Sequence, residues 1–475
     1  MDLVRESFIR DIGKELLEEN VAVFAGAGMS AGSGFVNWAE LLRPIAEELG
    51  LDVDKESDLV SLAQYHCNAN GNNRSQLNQR LIEEFSQDAK LTENHEILCR
   101  LPIKTFWTTN YDKLLEKALS SSGKVADVKF TKDQLSTTKP RRDAVIYKMH
   151  GDVEHPHDAV LTKDDYERYH VKMEQYLSAL KGDLISKIFI FIGFSFTDPN
   201  LDYILSRVRI AYDGSQRRHY CFIKKISLES GEEEVDFKYR ERKQELFVND
   251  LNRFNVKAIL IDDYSEITEL LRVVEFNYKK KTIFISGAAH EYGAYGEKDT
   301  LEFVHRLSGK LIAEGYKIVS GFGLGIGSAV ISGALEQIYM RGNNTINDQL
   351  ILRPFPQSSN SRVPLKEVWS HYRKDMISHA GISIFLFGNK VNDGDIVNSN
   401  GMQEEYDISK SKGVLVIPVG ATGYMAEELW SKEIENPPSK FSKLISDLND
   451  KTDTLNQLEH KILEIIKVKI NQGEV

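Results

Sequence analysis

Three short polar segments each follow an apolar, strand-like run and carry groups suited to chemistry on a nucleotide. The glycines of Gly26-Ala27-Gly28-Met29-Ser30 let backbone N–H groups approach a pyrophosphate. The segment Thr108-Thr109-Asn110-Tyr111-Asp112 supplies an amide that can bind ribose hydroxyls and water. The third segment, His150-Gly151-Asp152, brings a side chain that moves protons near neutral pH. Together they predict one cleft for a nicotinamide dinucleotide, with Asn110 and His150 beside the bond between nicotinamide and ribose.

The residues predicted to bind the dinucleotide follow several strand-like runs. After the apolar run 188–192, the loop 193–200 offers Gly and Ser to the adenosine ribose and phosphates. The predicted set is Ala25, Gly26, Gly28, Ser30, Asp112, Gly193, Ser195 and Asp198. Asp112 is expected to hold the site through hydrogen bonds from nearby backbone. Taken singly, each motif also fits a simpler role: a tight turn for the glycines, an Asx-type turn for Asp112 and a structural histidine for His150.

A second glycine-rich set, later in the chain, predicts a second nucleotide pocket. The run 319–328 reads as a strand, a glycine-rich turn and the start of a helix, and small residues in such a turn allow close approach to phosphates. Arg373 and Lys390 suit phosphate groups, and Glu405 suits ribose hydroxyls. The predicted set is Ser286, Gly287, Gly321, Gly323, Leu324, Arg373, Lys390 and Glu405. For each single charge the alternative is a solvated surface residue, and this alternative is strongest for Lys390.

Alternating strands and helices are needed to bring these segments together. Strand-like runs occur at 21–25, 104–109, 144–149, 188–194, 218–223 and 256–261, and again at 282–287, 317–321, 350–355, 382–387 and 413–418. Helical patterns lie between them, for example at 37–49 and 76–88. This alternation predicts an α/β protein: a Rossmann-type parallel sheet with helices on both faces, followed by a second Rossmann-like α/β domain.

The charge run Phe276–Lys281 and the restart of the pattern after it predict two domains, residues 1–277 and 278–475. Phe8, Ile12 and Leu16 have helical spacing within 7–20, which predicts an amphipathic helix packed on its own domain or on another subunit. The polar stretches 357–366 and 390–401 are predicted loops. One or two closing helices are predicted after Pro437-Pro438.

Bulk composition excludes several classes of protein. The net charge of −11 over 475 residues disfavours a sequence-independent nucleic-acid binder. No segment approaches the roughly 20 apolar residues that span a bilayer, so no membrane partner is expected. Cys67, Cys99 and Cys221 are far apart and form no C-x-x-C pair, so neither a zinc ribbon nor a disulfide framework is predicted. We therefore expect no metal and a cytoplasmic location.

The first part of the chain, roughly residues 8–275, resembles the sirtuin family. The matching elements are the G-A-G-x-S turn, the T-x-N-x-D segment, the H-G pair and the later Gly-x-Ser loop. In sirtuins the Asn and the His serve catalysis, which implies those roles for Asn110 and His150. The four-cysteine zinc module of sirtuin deacylases is missing, and Gly32–Trp38 replaces the family's Pro-Asp-Phe-Arg run. The resemblance with these departures favours an NAD⁺ glycohydrolase, with water in place of acetyl-lysine.

The second part resembles the SLOG family, relatives of phosphoribohydrolases that carry a P-G-G-x-G-T-x-x-E signature. Pro418–Tyr424 breaks that signature, which favours binding over catalysis. A sirtuin-like part followed by a SLOG part, in this order and length, resembles the effectors of the bacterial Thoeris antiphage system. In those effectors the SLOG ligand contacts an Arg, a Lys and a Glu, which implies these roles for Arg373, Lys390 and Glu405.

The resemblance to Thoeris effectors implies a dormant NAD⁺ hydrolase with NAD⁺ as its substrate. A partner TIR-domain protein would make a cyclic ADP-ribose isomer that binds the SLOG domain and activates the enzyme. Activation would deplete cellular NAD⁺ and so abort the infection. The resemblance also implies a homotetramer, with contacts that involve the N-terminal helix and the SLOG domains.

Two other functions are compared with this one. A sirtuin-type NAD-dependent protein deacylase or ADP-ribosyltransferase would need a lysine channel, and the missing zinc module disfavours it. A non-enzymatic nucleotide sensor would bind through both domains and recruit a partner. Binding alone does not need both Asn110 and His150, so their presence favours an enzyme.

Overall fold

The computed structural model describes residues 3–56, 58–194, 196, 199–212, 217–341, 349–356, 364–435 and 442–471. The chain divides into two compact units, Met1–Glu275 and Phe276–Val475. The predicted domain boundary between residues 277 and 278 falls inside the helix Ser265–Lys279, which continues across it. Where the two functions separate along the chain therefore stays a prediction.

The first unit is built on a parallel sheet. Its described strands are β1 Val21–Ala25, β2 Thr105–Thr108, β3 Ala126–Lys129, β4 Ala144–Lys148, β5 Ile188–Ile192, β6 His219–Lys224 and β7 Val256–Ile261. They lie in the order β3-β4-β2-β1-β5-β6-β7, and all their pairings are parallel. Every residue of β1 and β5 is buried, as expected for central strands of a sheet covered on both faces.

The sequence pattern does not predict the edge strand β3. Two of its four residues are charged, so it lacks the apolar run that marks the other strands. Both charged side chains are nevertheless buried, because Lys129 Nζ lies 2.9 Å from Asp127 Oδ1 and the two charges compensate each other.

Helices cover the sheet of the first unit. Their bounds are Leu3–Leu17, Ala27–Ala31, Trp38–Glu48, Leu59–Ala69, Ser75–Phe85, Glu93–Arg100, Leu114–Ser121, Lys163–Lys172, Glu174–Ser186, Pro199–Tyr212, Glu234–Leu251 and Ser265–Lys279. Single-turn 3-10 helices span Val53–Lys55, Lys132–Ser136, Pro156–Asp158 and Asn252–Phe254. The first helix packs on its own domain, since the ring of Phe8 meets Tyr220 and Phe222 edge-on at 5.3 and 5.4 Å.

The second unit contains another parallel sheet. Its strands are β8 Thr282–Ala288, β9 Lys317–Ser320, β10 Leu350–Leu352, β11 Ile382–Phe387 and β14 Leu415–Pro418, in the order β10-β9-β8-β11-β14. The helices are Glu297–Ala313, Gly327–Arg341, Leu365–Ser378, Asn400–Ser411, Tyr424–Glu435, Ser442–Ser446 and Leu455–Asn471, with 3-10 turns at Gly293–Tyr295, Gly420–Thr422 and Asp447–Asn449. The prediction of an α/β protein with two parallel sheets is confirmed, as are the closing helices.

The predicted loop 390–401 is wrong. It holds most of an antiparallel hairpin, β12 Asn389–Asn392 and β13 Asp395–Asn398, and the start of a helix. The two linking residues, Asp393 and Gly394, have φ values of 52° and 94°, the left-handed conformation that two-residue hairpin turns require. The hairpin is polar because much of it faces solvent. Of the other predicted loop, 357–366, residues 357–363 lie outside the described residues, and a helix begins at Leu365.

Candidate functional site

Four neighbouring strands bring the chemistry-bearing segments to one edge of the first sheet. The strands β4, β2, β1 and β5 lie side by side in that order. Their register pairs Thr108 with both Ala25 and Lys148, so Asn110 and His150 each stand two residues beyond a paired position. The direction of strand succession reverses between β1 and β5, and ligands of open α/β sheets bind at such a reversal. This edge is the candidate active site.

The two glycine turns at this edge touch through their backbones. The N–H of Gly28 donates to the carbonyl oxygen of Gly193 at 2.9 Å. A Cβ atom on Gly193, whose φ is +63°, would lie 2.1 Å from the backbone nitrogen of Met29. A Cβ on Gly26 would lie 2.4 Å from the oxygen of Gly193. Turn-to-turn packing thus requires glycine at these positions, and their predicted contact with a pyrophosphate stays a prediction.

Asn110 is oriented by the β1 turn. Its Nδ2 donates to the carbonyl oxygen of Gly26 and to Oγ of Ser30, both at 3.0 Å. Its backbone N–H donates to Oγ1 of Thr108, which donates in turn to the carbonyl oxygen of Ala25. Among the described contacts, both amide N–H groups are therefore used within the protein. The carbonyl oxygen Oδ1 is the part of the side chain that can accept a hydrogen bond from a ligand or from water.

Asp112 is buried and supports the position of Asn110 through Ser30. Its Oδ2 accepts a hydrogen bond from Ser30 Oγ at 2.7 Å, and its Oδ1 accepts one from the N–H of Leu114 at 2.9 Å. The bond from Leu114 is the expected backbone contact and also an Asx-type turn, so the two predicted roles coincide. The predicted contact between Asp112 and the dinucleotide stays a prediction.

His150 is held by packing and by its backbone. It is buried, its carbonyl oxygen accepts a hydrogen bond from the N–H of Val160, and its ring meets Tyr166 edge-on at 5.5 Å.

Of the three residues that are predicted to contact the dinucleotide from the loop 193–200, the structure describes Gly193. Ser195 and Asp198 lie outside the described residues. The sequence pattern overlooks Lys148, a fully buried ammonium that contacts the chain just after Asn110 and just after His150. Its one signal in the sequence is an aspartate four residues later.

A pocket at the edge of the second sheet brings together most of the predicted effector-binding residues. It is lined by Phe284, Ile285, Ser286, Gly287, Ala288, Gly321, Gly323, Phe355, Arg373, Ser399, Gly401, Met402 and Glu405. The sequence pattern overlooks the start of the helix Asn400–Ser411, where Gly401 and Met402 line the pocket. Leu324 and Lys390 are not among the lining residues. Leu324 uses its carbonyl oxygen to accept a hydrogen bond from Ala289, and Lys390 pairs with Val397 in the hairpin.

Arg373 and Glu405, which line this pocket, and Glu404, which pairs with Arg373 beside it, set the local charge. Arg373 Nη1 donates to Glu404 Oε2 at 2.7 Å, and Arg373 Nε lies 3.4 Å from Glu405 Oε1. The same guanidinium lies over the ring of Phe355, 5.1 Å from its centroid. A Cβ on Gly401 would come within 2.5 Å of Arg373 Nη2, so the glycine makes room for the guanidinium.

Glu405 faces the pocket as a buried hydrogen-bond acceptor. Its Oε2 accepts a hydrogen bond from Ser286 Oγ at 2.5 Å. Burial raises the pKa of Glu405, although the bond from Ser286 and the charge of Arg373 act in the opposite direction. An anion-binding guanidinium beside hydroxyl-binding groups suits a ligand that carries both phosphate and ribose.

Neither metal sites nor membrane spans are found among the described residues. No group of three or more His, Cys, Asp or Glu side chains in those ranges could hold a metal ion. No described helix is long and apolar enough to cross a bilayer. The three cysteines are buried and form no disulfide.

Comparisons with known proteins find two different domain families along the chain. Residues 104–246 match the model of the SIR2-like domain, and residues 266–469 match the model of the Sir2- and TIR-associating SLOG family. The chain is 54% identical to the NAD(+) hydrolase ThsA of Bacillus cereus, over 99% of this chain and 100% of that protein. It is 47% identical to the NAD(+) hydrolase ThsA of Acinetobacter baumannii, over 96% and 97% of the two chains. Defense-associated sirtuin 2 of Bacillus subtilis is 26% identical over 42% of this chain and 20% of its own length.

Proposed function

The chain belongs to the ThsA family of NAD(+) hydrolases, and from this premise we propose that it is a ligand-gated enzyme of the bacterial Thoeris antiphage defence. A cyclic ADP-ribose isomer, made by a partner TIR-domain protein, binds the pocket around Arg373 and switches on NAD⁺ cleavage. The loss of cellular NAD⁺ then aborts infection. The enzyme acts in the cytoplasm as a homotetramer, and the reaction uses no metal.

In the proposed reaction, NAD⁺ binds at the carboxyl ends of β4, β2, β1 and β5. Nicotinamide leaves easily because its ring nitrogen already carries positive charge in NAD⁺, so the protein mainly shields the developing ribosyl cation and positions water. Asn110 Oδ1 accepts a hydrogen bond from a ribose hydroxyl or the attacking water. His150 takes up the proton that this water or hydroxyl releases. The observation that carries this assignment is the common register of the strands before Asn110 and His150.

In the proposed gating step, Arg373 binds the pyrophosphate of the isomer, while Ser286 and Glu405 bind ribose hydroxyls. The glycines at the ends of β8 and β9 allow the ligand to approach the backbone. We also assign a phosphate contact to Lys390 of the hairpin, as the resemblance to Thoeris effectors implies. A ligand that prefers the active state by about 3–5 kcal/mol would convert a nearly silent population into a mostly active one.

Fluorogenic NAD⁺ cleavage by the full-length protein, with and without a panel of cyclic ADP-ribose isomers, tests both sites. We expect low basal activity and a steep rise with one isomer. Asn110→Ala should be inactive in every condition, whereas the matched Asn68→Ala, at an exposed position, should behave as wild type. Arg373→Ala should keep basal activity and lose the response to the isomer. Arg306→Ala, whose guanidinium pairs with Glu459 outside the pocket, is its control.

Two outcomes would contradict the proposal. Near-normal cleavage by Asn110→Ala would remove the assigned role of that side chain. A wild-type rate that no isomer changes would remove the gating, and an acyl-lysine peptide assay would then test for the deacylase.

A further inference from the structure

Lys148 is a buried charge that the reaction described above does not use. It is the last residue of β4, and its side chain is fully buried. Its Nζ donates to the carbonyl oxygens of Tyr111 and Asp112 at 3.0 and 2.6 Å. It also donates to Asp152 Oδ2 at 2.5 Å, and Glu116 Oε1 forms an ion pair with it at 3.2 Å.

These partners come from both segments that carry the proposed catalytic side chains. Tyr111 and Asp112 directly follow Asn110, and Asp152 stands two residues after His150. The N–H of Val153 also donates to the carbonyl oxygen of Tyr111, so the two segments already touch at this point. One ammonium group therefore joins the backbone after β2 to the loop after β4.

Burial alone would make such an ammonium costly, so its partners must compensate. Burial acts to lower the pKa of Lys148, but the facing carboxylates of Glu116 and Asp152 outweigh it and hold the pKa above the ordinary value. The Lys148 ammonium is thus a charged group that several hydrogen bonds hold in place. Short charge-assisted bonds of this kind fix geometry more firmly than apolar contacts do.

We propose that Lys148 is a positioning residue for NAD⁺ cleavage, holding the Asn110 segment and the His150 loop at the separation that one ribose requires. Hydrolysis itself is the activity of the family, whereas the roles of Asn110 and His150 rest on the proposed function. Without the contacts of Lys148, the side chains of Asn110 and His150 would still be present but displaced. Displacements of about 1 Å can lower turnover roughly 100-fold.

The charge-neutral double variant Lys148→Met/Asp152→Asn tests this, because removing the lysine alone would leave Asp152 buried and uncompensated. Glu116 can take up a proton in this variant, since burial raises its pKa. We expect the folded variant to lose roughly 100-fold in kcat while KM stays within about threefold of wild type. Activity is measured on the full-length protein under the condition that gives wild type its highest turnover.

The matched control is Lys129→Met/Asp127→Asn, which removes another buried Lys–Asp pair, on the edge strand β3. That pair joins no catalytic segment, so its loss should leave kcat within about threefold of wild type. Hydrogen–deuterium exchange gives a second readout. Peptides that contain Asn110 and His150 should exchange faster than in wild type in the Lys148 variant, and at the wild-type rate in the control.

Three results would overturn the positioning role. They are a folded Lys148 variant with near-normal kcat, an equal loss of kcat in the control, and unchanged exchange around Asn110 and His150. If Asn110→Ala also retained activity, the proposed catalytic assignment would fail separately from the role of Lys148.

Discussion

Two polar side chains at the sheet edges are oriented before any ligand arrives. Asn110 uses both amide N–H groups on the β1 turn and so presents its carbonyl oxygen. Arg373 is likewise engaged in advance, but with acidic side chains, Glu404 and Glu405. Under the proposed function, the first arrangement prepares a group for substrate, whereas in the second a ligand phosphate would have to compete with two carboxylates for the guanidinium.

If the proposed gating by a cyclic ADP-ribose isomer holds, this competition predicts that Glu404→Gln makes the protein more sensitive to that isomer. Glu404 is not a pocket-lining residue, and Arg373 would keep its contacts with Glu405 and Phe355. Removing one nearby negative charge should lower the half-activating concentration by about threefold to tenfold. Titration of NAD⁺ cleavage with the isomer measures this.

Asp407→Asn is the control for Glu404→Gln, since it removes one charge from an exposed position of the same helix. If the half-activating concentration of the isomer were the same for Glu404→Gln as for this control, or higher, Glu404 would not compete with the ligand.

The sequence reveals some of these side chains and not others, for a physical reason. Asn110, His150 and Arg373 stand near the ends of apolar or helical patterns, where a polar group is conspicuous. Lys148 bonds mainly to backbone oxygens and carboxylates that the sheet topology brings to it. No local pattern records such partners, and the same holds for the pairing of Arg373 with Glu404.

At the scale of elements, strand composition decides what could be predicted. The inner strands β1, β5 and β11 are buried along their length and form apolar runs that are easy to recognise. The edge strand β3 and the hairpin β12–β13 are polar, so hydropathy misses them. The hairpin did carry a usable signal in Asp393-Gly394, a pair typical of two-residue turns.

The pairing of β5 with β6 predicts a dependence of stability on pH. His219 in β6 accepts a hydrogen bond from the N–H of Phe189 in β5 through Nδ1, at 3.1 Å. Burial, helped by the charge of Arg217, lowers the pKa of His219 to about 3. Between pH 6.5 and this value the unfolded chain binds a proton that the folded chain does not. The contribution of His219 to the free energy of unfolding is therefore complete above pH 6.5. It falls by about 1.4 kcal/mol per pH unit as the pH is lowered from 6.5 toward the pKa of the folded state.

Melting temperatures measured from pH 7.5 to 4.5 test this dependence. His219→Asn, which keeps an acceptor without a titrating ring, should lose less stability on acidification than wild type. His170→Asn changes an exposed histidine and should follow the wild-type curve. Parallel curves for all three proteins would contradict the role given to His219.

At the scale of the whole molecule, each unit places its candidate reactive or binding groups at the carboxyl edge of its own parallel sheet. The sequence indicates this through the restart of the strand–helix pattern near residue 278. It gives no information on how strongly one edge influences the other, because such coupling is a difference in free energy between states of the whole chain.

Coupling between the two sites predicts a reciprocal effect that can be measured without turnover. If the isomer promotes NAD⁺ binding, bound NAD⁺ must tighten isomer binding by the same factor. In Asn110→Ala, which should not cleave NAD⁺, saturating NAD⁺ should increase isomer affinity by about fivefold or more, as typical coupling energies imply. Calorimetric titration of the isomer with and without NAD⁺ measures this. Equal affinities would mean that the isomer acts on the chemical step rather than on NAD⁺ affinity.

The backbone contacts between glycine turns have a consequence for saturation mutagenesis. Added Cβ atoms would collide with backbone at Gly26 and Gly193 in the first unit, and at Gly323 and Gly325 in the second. Saturation mutagenesis would therefore find no tolerated substitution at these four positions, even if no ligand contacted them. Abundance scores would separate the two causes: a glycine that serves packing loses protein and activity together, whereas one that serves only a ligand loses activity alone.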